Sequence, residues 1–305
     1  MSSIFTDAGY LVQLITDVSG LSNAEVARRL LVENRELGTS VWKELQERKI
    51  RPYQWSDDLN QFYESTTAFL FESLIWNRST IKQQMQNWIN QFLEREFHRP
   101  LRVLVFGDGL GFDSASVAQA GHQVSYFEVS QRAIQFATQA FDRFDSRVEI
   151  LSDVSQIQPA HFDAILCLDV LEHVPQPEAV VKLLVSALAP EGRLIVHAPF
   201  WYLSKSVGTH LASNRKLSGD IRHLYGSNGL HAIEASLFWN PIAFAKTSGT
   251  RHAKFLEKQR IRLGGLLLSV GRFWSTPHEL ITKRMLAQSL SPWPEMERFA
   301  KGLTK

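Results

Sequence analysis

The sequence predicts an α/β fold: a parallel sheet flanked by helices, with an all-helical region before it and a helical tail after it. Two observations carry this. From Leu101 onward, short apolar runs alternate with amphipathic stretches, the rhythm of strand and crossover helix. Before Leu101 the apolar residues keep helical spacing and no strand signal interrupts them. With 305 residues, 44% of them hydrophobic, the chain can bury a large core without disulfide or metal staples. Three regions follow: a helical lid or interaction region (1–99), a sheet-bearing core (100–248) and a helical tail (249–305).

Leu11, Leu14, Ile15 and Val18 define the first helix. Ser22 caps the second, which carries Val26, Leu30 and Leu31, and Glu25 completes a capping box. A third runs from about Leu37 to Ile50 and stops before Pro52. Asp57 or Asp58 opens a helix with Phe62, Phe69, Leu70 and Leu74 on its stripe. Ser79 or Thr80 opens the next, with Met85, Trp88, Ile89, Phe92 and Leu93, and Pro100 ends it. LRVLVF is a continuous apolar run bounded by glycine, as expected of a strand buried on both faces. HQVSYFE, RVEIL, FDAILCL and RLIVHAP are the next four strands, the last entered through the turn APEG. Helices separate them: from Asp113 or Ser114 to Ala120, from Ser130 to about Ala140, and over EAVVKLLVSAL. After Pro199 a polar stretch breaks the rhythm. HAIEASLF and PIAFAK then read as two more strands, and the tail from Arg251 is helical and locally basic.

Composition narrows the function classes. The formal net charge of +2 gives no global footprint for nucleic acid, and LSNAEVARRL has too few cations for a DNA-reading helix. The single cysteine, Cys167, can form neither an intrachain disulfide nor a Cys-rich zinc site. The histidines lack ligand spacing, so no metal is expected. The N-terminus lacks a basic segment followed by an apolar one, and no apolar run reaches the ~18 residues needed to span a bilayer. A cytoplasmic protein is the expectation. RHAKFLEKQRIRLGGLLLSVGRFW mixes cations with apolar residues, and a helix packed on the sheet is preferred there over contact with an anionic membrane surface. The N-terminal helices either cover the cleft or build a homodimer interface.

The chemistry concentrates at the strand ends. Gly107, Gly109 and Gly111 follow the first strand and precede a helix, where a tight turn lets a ligand approach the backbone. Glu128 ends the second strand, about twenty residues on, the place of a carboxylate that binds ribose hydroxyls. Asp153 lies just past the third, where it can border an adenine ring. Each could be a plain turn or cap. Together, at three successive strand ends, they favour a nucleoside cofactor. A dinucleotide site wants G-x-G-x-x-G, but here the pattern is G-x-G-x-G, with Phe112 at the place of the last dinucleotide glycine. Asp108 and Asp113 put negative charge where a pyrophosphate would lie. A sulfonium nucleoside tolerates that, which argues for S-adenosylmethionine over NAD.

VLVFGDGLGFDSASVAQAGHQVSYFEVS, followed by FDAILCLDVLEHVPQPEAVVKLLVSALAPEGRLIVHAPF, resembles the class I S-adenosylmethionine-dependent methyltransferases. The resemblance covers about Leu101 to Phe200. It implies a Rossmann-like sheet of seven strands with the last antiparallel. It implies that Gly107, Gly109 and Gly111 line the methionine part of the cofactor, with Asp108 beside them. Glu128 and Val129 would take the ribose side, and Asp153 and Val154 the adenine side. Leu168 and Asp169 would pass under the cofactor, with His173 in the LEH signature. Val105 stands where the family usually has an acid, and Asp108 is the candidate to compensate. The implied reaction is methyl transfer to a small molecule by in-line displacement. The competing reading is a protein that keeps the fold but binds, or alkylates, otherwise. His210 is the base candidate, against a plain loop histidine. Phe200, Trp201, Tyr202 and Asn214 are substrate-side candidates, although the three aromatics could equally cap the core.

Overall fold

The computed structural model describes residues 7–143, 147–246 and 253–302. The start of the tail at Arg251 and the boundary between 248 and 249 lie outside them. At the centre is a seven-stranded sheet in the order β3-β2-β1-β4-β5-β7-β6. β1 (Arg102–Phe106), β2 (Gln123–Phe127), β3 (Val148–Leu151), β4 (Phe162–Leu168) and β5 (Leu188–His197) are mutually parallel. β7 (Ile242–Lys246) runs antiparallel between β5 and β6 (Leu230–Ala235). Every residue of β4 is buried, which is why it reads as an unbroken apolar run. Strand order reverses between β1 and β4, so the crevice for a ligand lies outside their carboxyl ends.

Six helices precede the sheet: α1 (Ala8–Ser19), α2 (Asn23–Arg35), α3 (Thr39–Glu47), α4 (Asp57–Ser65), α5 (Ala68–Arg78) and α6 (Thr80–Phe97). Ser22 accepts from the Glu25 amide at 3.3 Å and Ser79 from the Lys82 amide at 3.2 Å, as the N-cap signals predict. The helix expected from Asp57 through Leu74 is in fact two. Thr66 adopts an extended backbone; its hydroxyl donates to Glu44 Oε2 at 2.8 Å and accepts from the Ala68 amide at 2.9 Å, breaking the ladder. APEG is not a separate turn but part of β5, which pairs with β4 across a bulge between Phe162 and Ala164.

α7 (Phe112–Gln119), α8 (Gln131–Arg143) and α9 (Pro177–Ala187) are the crossovers, and α10 (Phe255–Gly271), α11 (Ser275–Ser289) and α12 (Pro294–Ala300) form the tail. The terminal regions share cores with the sheet. Met85, Ile89 and Phe92 of α6 pack with Val103, Leu166 and Ile195. Trp293 and Met296 near the C-terminus join Leu11, Leu30, Leu74 and Phe112 in another cluster. α10 packs on one face, where Gly264 and Gly265 lie against the Trp239 ring. Its other face is not only cationic: Leu256, Leu263 and Leu266 are exposed, as are Phe273 and Trp274 beyond it. No helix among the described residues is long and apolar enough to cross a membrane.

Candidate active site

Three glycines with left-handed φ angles of 73°, 59° and 80° build the turn between β1 and α7, at Gly107, Gly109 and Gly111. A Cβ at Gly107 would stand 2.5 Å from Val170, and one at Gly111 would stand 2.6 Å from the Phe141 ring, so both serve packing. Gly109 differs, since an added Cβ would meet only Ser73 Oγ, at 3.8 Å. The middle glycine therefore faces open space beneath α5.

Two groups clamp the Gly109 peptide. Its amide donates to Glu128 Oε2 at 2.8 Å, and its carbonyl accepts from the Tyr126 hydroxyl at 2.6 Å. Glu128 Oε1 accepts from the Val129 and Ser130 amides at 2.7 and 3.0 Å. Burial raises the Glu128 pKa and these three amides oppose the rise. Val129 and Val154 are exposed apolar side chains past the ends of β2 and β3. Asp153 is exposed too, and Ser155, through its side chain and through its amide at 2.8 Å, lowers the carboxyl's pKa.

Asp108 has a task other than the expected one. Its oxygens accept from the Asp113 and Ser114 amides at 3.1 and 2.7 Å, so it caps α7 instead of standing in for the acid missing at Val105. Burial and the neighbouring Asp113 push its carboxyl up. Val105 packs among Met85 and Leu166. The first turn of α7, where a pyrophosphate would rest, is thus closed by the protein's own carboxylate.

Beside the turn lies a charge network that sequence reasoning largely missed. Lys82 of α6, 3% exposed, sits 2.9 Å from Asp113 Oδ2 and 3.2 Å from Asp169 Oδ2. Asp169, with a left-handed φ of 59°, also accepts from Trp76 Nε1 at 2.9 Å, and its other oxygen is 2.6 Å from His197 Nδ1. Burial alone would raise the Asp169 pKa, but Lys82, His197 and Trp76 together drive it far below the usual carboxylate range. Burial would likewise lower Lys82, and Asp113 and Asp169 more than offset it, so the ammonium stays charged. The overlooked signal was a lysine on the apolar stripe that also carries Met85 and Ile89. Glu72, one residue before Ser73 on α5, has a buried oxygen with no partner among the described residues. Burial and Glu33 push its carboxyl up.

The loop after β4 meets the segment after β5. Asn214 does not offer its amide to a substrate: Nδ2 donates to the carbonyls of Leu171, Glu172 and Val174 at 3.2, 3.3 and 2.9 Å and braces the loop. Phe200 and Tyr202 are buried, and Phe200 belongs to the core cluster, which leaves half-buried Trp201 as the candidate to face a substrate. His210 Nδ1 lies 2.8 Å from the Tyr202 carbonyl and must carry the proton, so Nε2 keeps its lone pair. His173 Nδ1 lies 3.0 Å from the Tyr63 hydroxyl and 3.2 Å from Thr209 Oγ1. Burial lowers both histidines, His173 to about 4. Phe62, on the apolar stripe of α4, is fully in the core.

Residues 77–232, just over half of the chain, match the family model for a methyltransferase domain. Ubiquinone biosynthesis O-methyltransferases of Xylella fastidiosa and Xanthomonas euvesicatoria are 37% and 34% identical to it over 99 residues, which is 31% of this chain and 40% and 41% of theirs. The chain therefore aligns with about two-fifths of the length of these relatives. A 1,6-didemethyltoxoflavin N1-methyltransferase of Burkholderia thailandensis superposes on 62% of this chain and 86% of its own, with a TM-score of 0.46 and 17% identity. The magnesium protoporphyrin IX methyltransferase of Synechocystis PCC 6803 covers 62% and 95%, with a TM-score of 0.46 and 21% identity. With its family match and the sheet order observed here, the chain belongs to the methyltransferase domain family, among the class I S-adenosylmethionine-dependent methyltransferases.

Proposed function

We propose that the protein methylates an oxygen of a small molecule with S-adenosylmethionine as donor. One observation carries the reading: the Glu128 carboxylate is fixed on the amide of Gly109, whose own outer side is open, while Asp108 closes the adjacent helix N-terminus to a diphosphate. The residues fit the cofactor. Glu128 has acceptor capacity left for ribose hydroxyls, since a carboxylate offers about four sites and three amides use it here. Val129 and Val154 offer apolar surfaces for the adenine, beside Asp153. Asp169, the one partly exposed member of the Lys82 network, supplies negative charge for an ammonium. Bound S-adenosylmethionine supplies an electrophilic methyl group on a sulfonium whose thioether leaves. The chain must hold an acceptor oxygen in line with that methyl and keep water out. α5 roofs the turn through Ser73 and Trp76, and Trp201 is the acceptor-side aromatic. An oxygen acceptor is taken from the O-methyltransferases that this chain resembles.

Calorimetric titration with S-adenosylhomocysteine tests the reading. The wild-type protein should bind it and should not bind NAD. Glu128→Ala should weaken binding at least tenfold, about 1.4 kcal/mol. Undiminished binding to the variant, or no binding to the wild type, would remove the proposal.

The two packing types of glycine give a second prediction. Gly111→Ala should lower the melting temperature by an amount worth about 2–4 kcal/mol, because its Cβ strikes Phe141 in a left-handed backbone. Gly109→Ala should cost only about 1–2 kcal/mol of stability, the backbone term alone, yet weaken S-adenosylhomocysteine more than tenfold. Equal effects of the two on both readouts would contradict the assignment.

A further inference from the structure

We propose that Glu172, His173 and His210 form a binding site for one divalent transition-metal ion. The Glu172 side chain is 1% exposed, and no neighbour among the described residues supplies a hydrogen bond to either oxygen. A buried carboxylate in that condition is neutralised either by a proton or by a cation, whether an ion-pair partner or a metal. Lys82 cannot close on it, being held by Asp113 and Asp169. What does face Glu172 Oε1 is a pair of imidazole nitrogens, His210 Nε2 at 3.9 Å and His173 Nε2 at 4.0 Å. The three groups can each present a ligand atom within 4.8 Å of the others.

The surroundings orient these rings as ligands. The opposite nitrogen of His210 is engaged by the Tyr202 carbonyl, and that of His173 by Tyr63 and Thr209. The carbonyl sets the His210 tautomer, and the two hydroxyls, which can donate or accept, fix the His173 ring angle, as outer contacts do for metal-binding histidines. The two strand-end segments are also pinned together. The Leu211 amide donates to the Glu172 carbonyl at 2.9 Å, and Asn214 ties down the same loop. Ligand bonds of about 2.1 Å place neighbouring ligand atoms roughly 3 Å apart, so the groups draw in by about an ångström on binding. Two imidazoles and one carboxylate suit zinc, manganese, iron or cobalt better than calcium. Three protein ligands leave coordination positions open, the pattern of a reactive site and not a closed structural one.

The site adjoins the proposed cofactor crevice. Glu172 and His173 follow Asp169 closely on the loop after β4, and Tyr63 of α4 touches His173. The role given to the ion rests on the methyl-transfer reading, whereas its binding does not. An acceptor hydroxyl bound at an open position loses its proton to solvent more readily. The oxygen lone pair then forms the new O–CH3 bond as the C–S bond breaks and its electron pair stays on sulfur. His210 is thereby a ligand and not the general base.

Chelator-treated full-length protein titrated with Co2+ tests this, read by visible absorption and calorimetry without cofactor. One ion per chain is expected. Glu172→Gln and His210→Asn should each weaken it at least tenfold, while His223→Ala, which removes an exposed surface His–Asp pair, should leave it unchanged. Absence of Co2+ binding, or undiminished binding in both folded variants, would overturn the site. If the variants do not fold, Mn2+ added to the wild-type protein decides. Broadening of the His173 and His210 ring resonances ahead of those of His161 and His223 supports the site, and uniform or absent broadening overturns it. Methyl transfer that persists in chelator beside failed metal binding defeats this inference alone. Metal binding without S-adenosylhomocysteine binding defeats the functional reading alone.

Discussion

Lys82→Met should lose about 3–5 kcal/mol of stability, the range seen when one partner of a buried ion pair is removed. The ammonium is almost wholly buried and lies within 3.2 Å of two carboxylates, one from α7 and one from the loop after β4. Methionine fills a similar volume, so packing is nearly kept and the loss reports the stranded charges of Asp113 and Asp169. At about 2–4 °C per kcal/mol for a large domain, the melting temperature should fall by roughly 10 °C. The double variant Lys82→Met with Asp113→Asn should recover part of it, because one stranded charge is gone. A single variant that melts with the wild type would show that Lys82 does not hold the first turn of α7 to the loop after β4.

Asp169→Asn should be comparably damaging, and its effect should depend on pH. The carboxylate takes contacts from Trp76, Lys82 and His197, and contacts to a charged group contribute about 1.5–3 kcal/mol each. Asparagine keeps one acceptor oxygen, so about two of these contacts are lost, about 3–6 kcal/mol at pH 7, with cofactor affinity reduced more than tenfold as the loop under it loosens. The sign of the pH dependence comes from the depressed Asp169 pKa. A carboxylate held below its unfolded value of about 3.9 contributes stability that is fully present above that value and is lost as pH falls through the folded one. The gap in melting temperature between wild type and variant should therefore be constant from pH 7 to about pH 5 and narrow below about pH 4. A gap that widens on acidification would contradict the assignment.

Why some of this was legible in the sequence and some was not has physical causes. β1 and β4 announce themselves because a strand covered on both faces must be apolar at every position, and Gly107, Gly109 and Gly111 because only glycine holds three left-handed angles so cheaply. Glu128 was placed by its distance from the turn, and the structure puts it on Gly109. Other features depend on partners far away in the chain. Thr66 breaks a helix because Glu44 receives its hydroxyl, which no local window reveals. Asp108 looked free to replace the acid at Val105, yet the α7 amides take both of its oxygens. Asn214 looked like a substrate group because its carbonyl partners sit some forty residues earlier. Lys82 and Glu172 are buried ionisable groups, whose meaning appears only when their neighbours are known.

The most direct test of the account is a crystal structure grown with S-adenosylhomocysteine. It should show the ribose hydroxyls on Glu128, the nucleoside base between Val129 and Val154, and the amino-acid end near Asp169, with Gly109 in contact with the ligand. A nucleoside bound elsewhere, or Glu128 turned away from it, would contradict the account at its root.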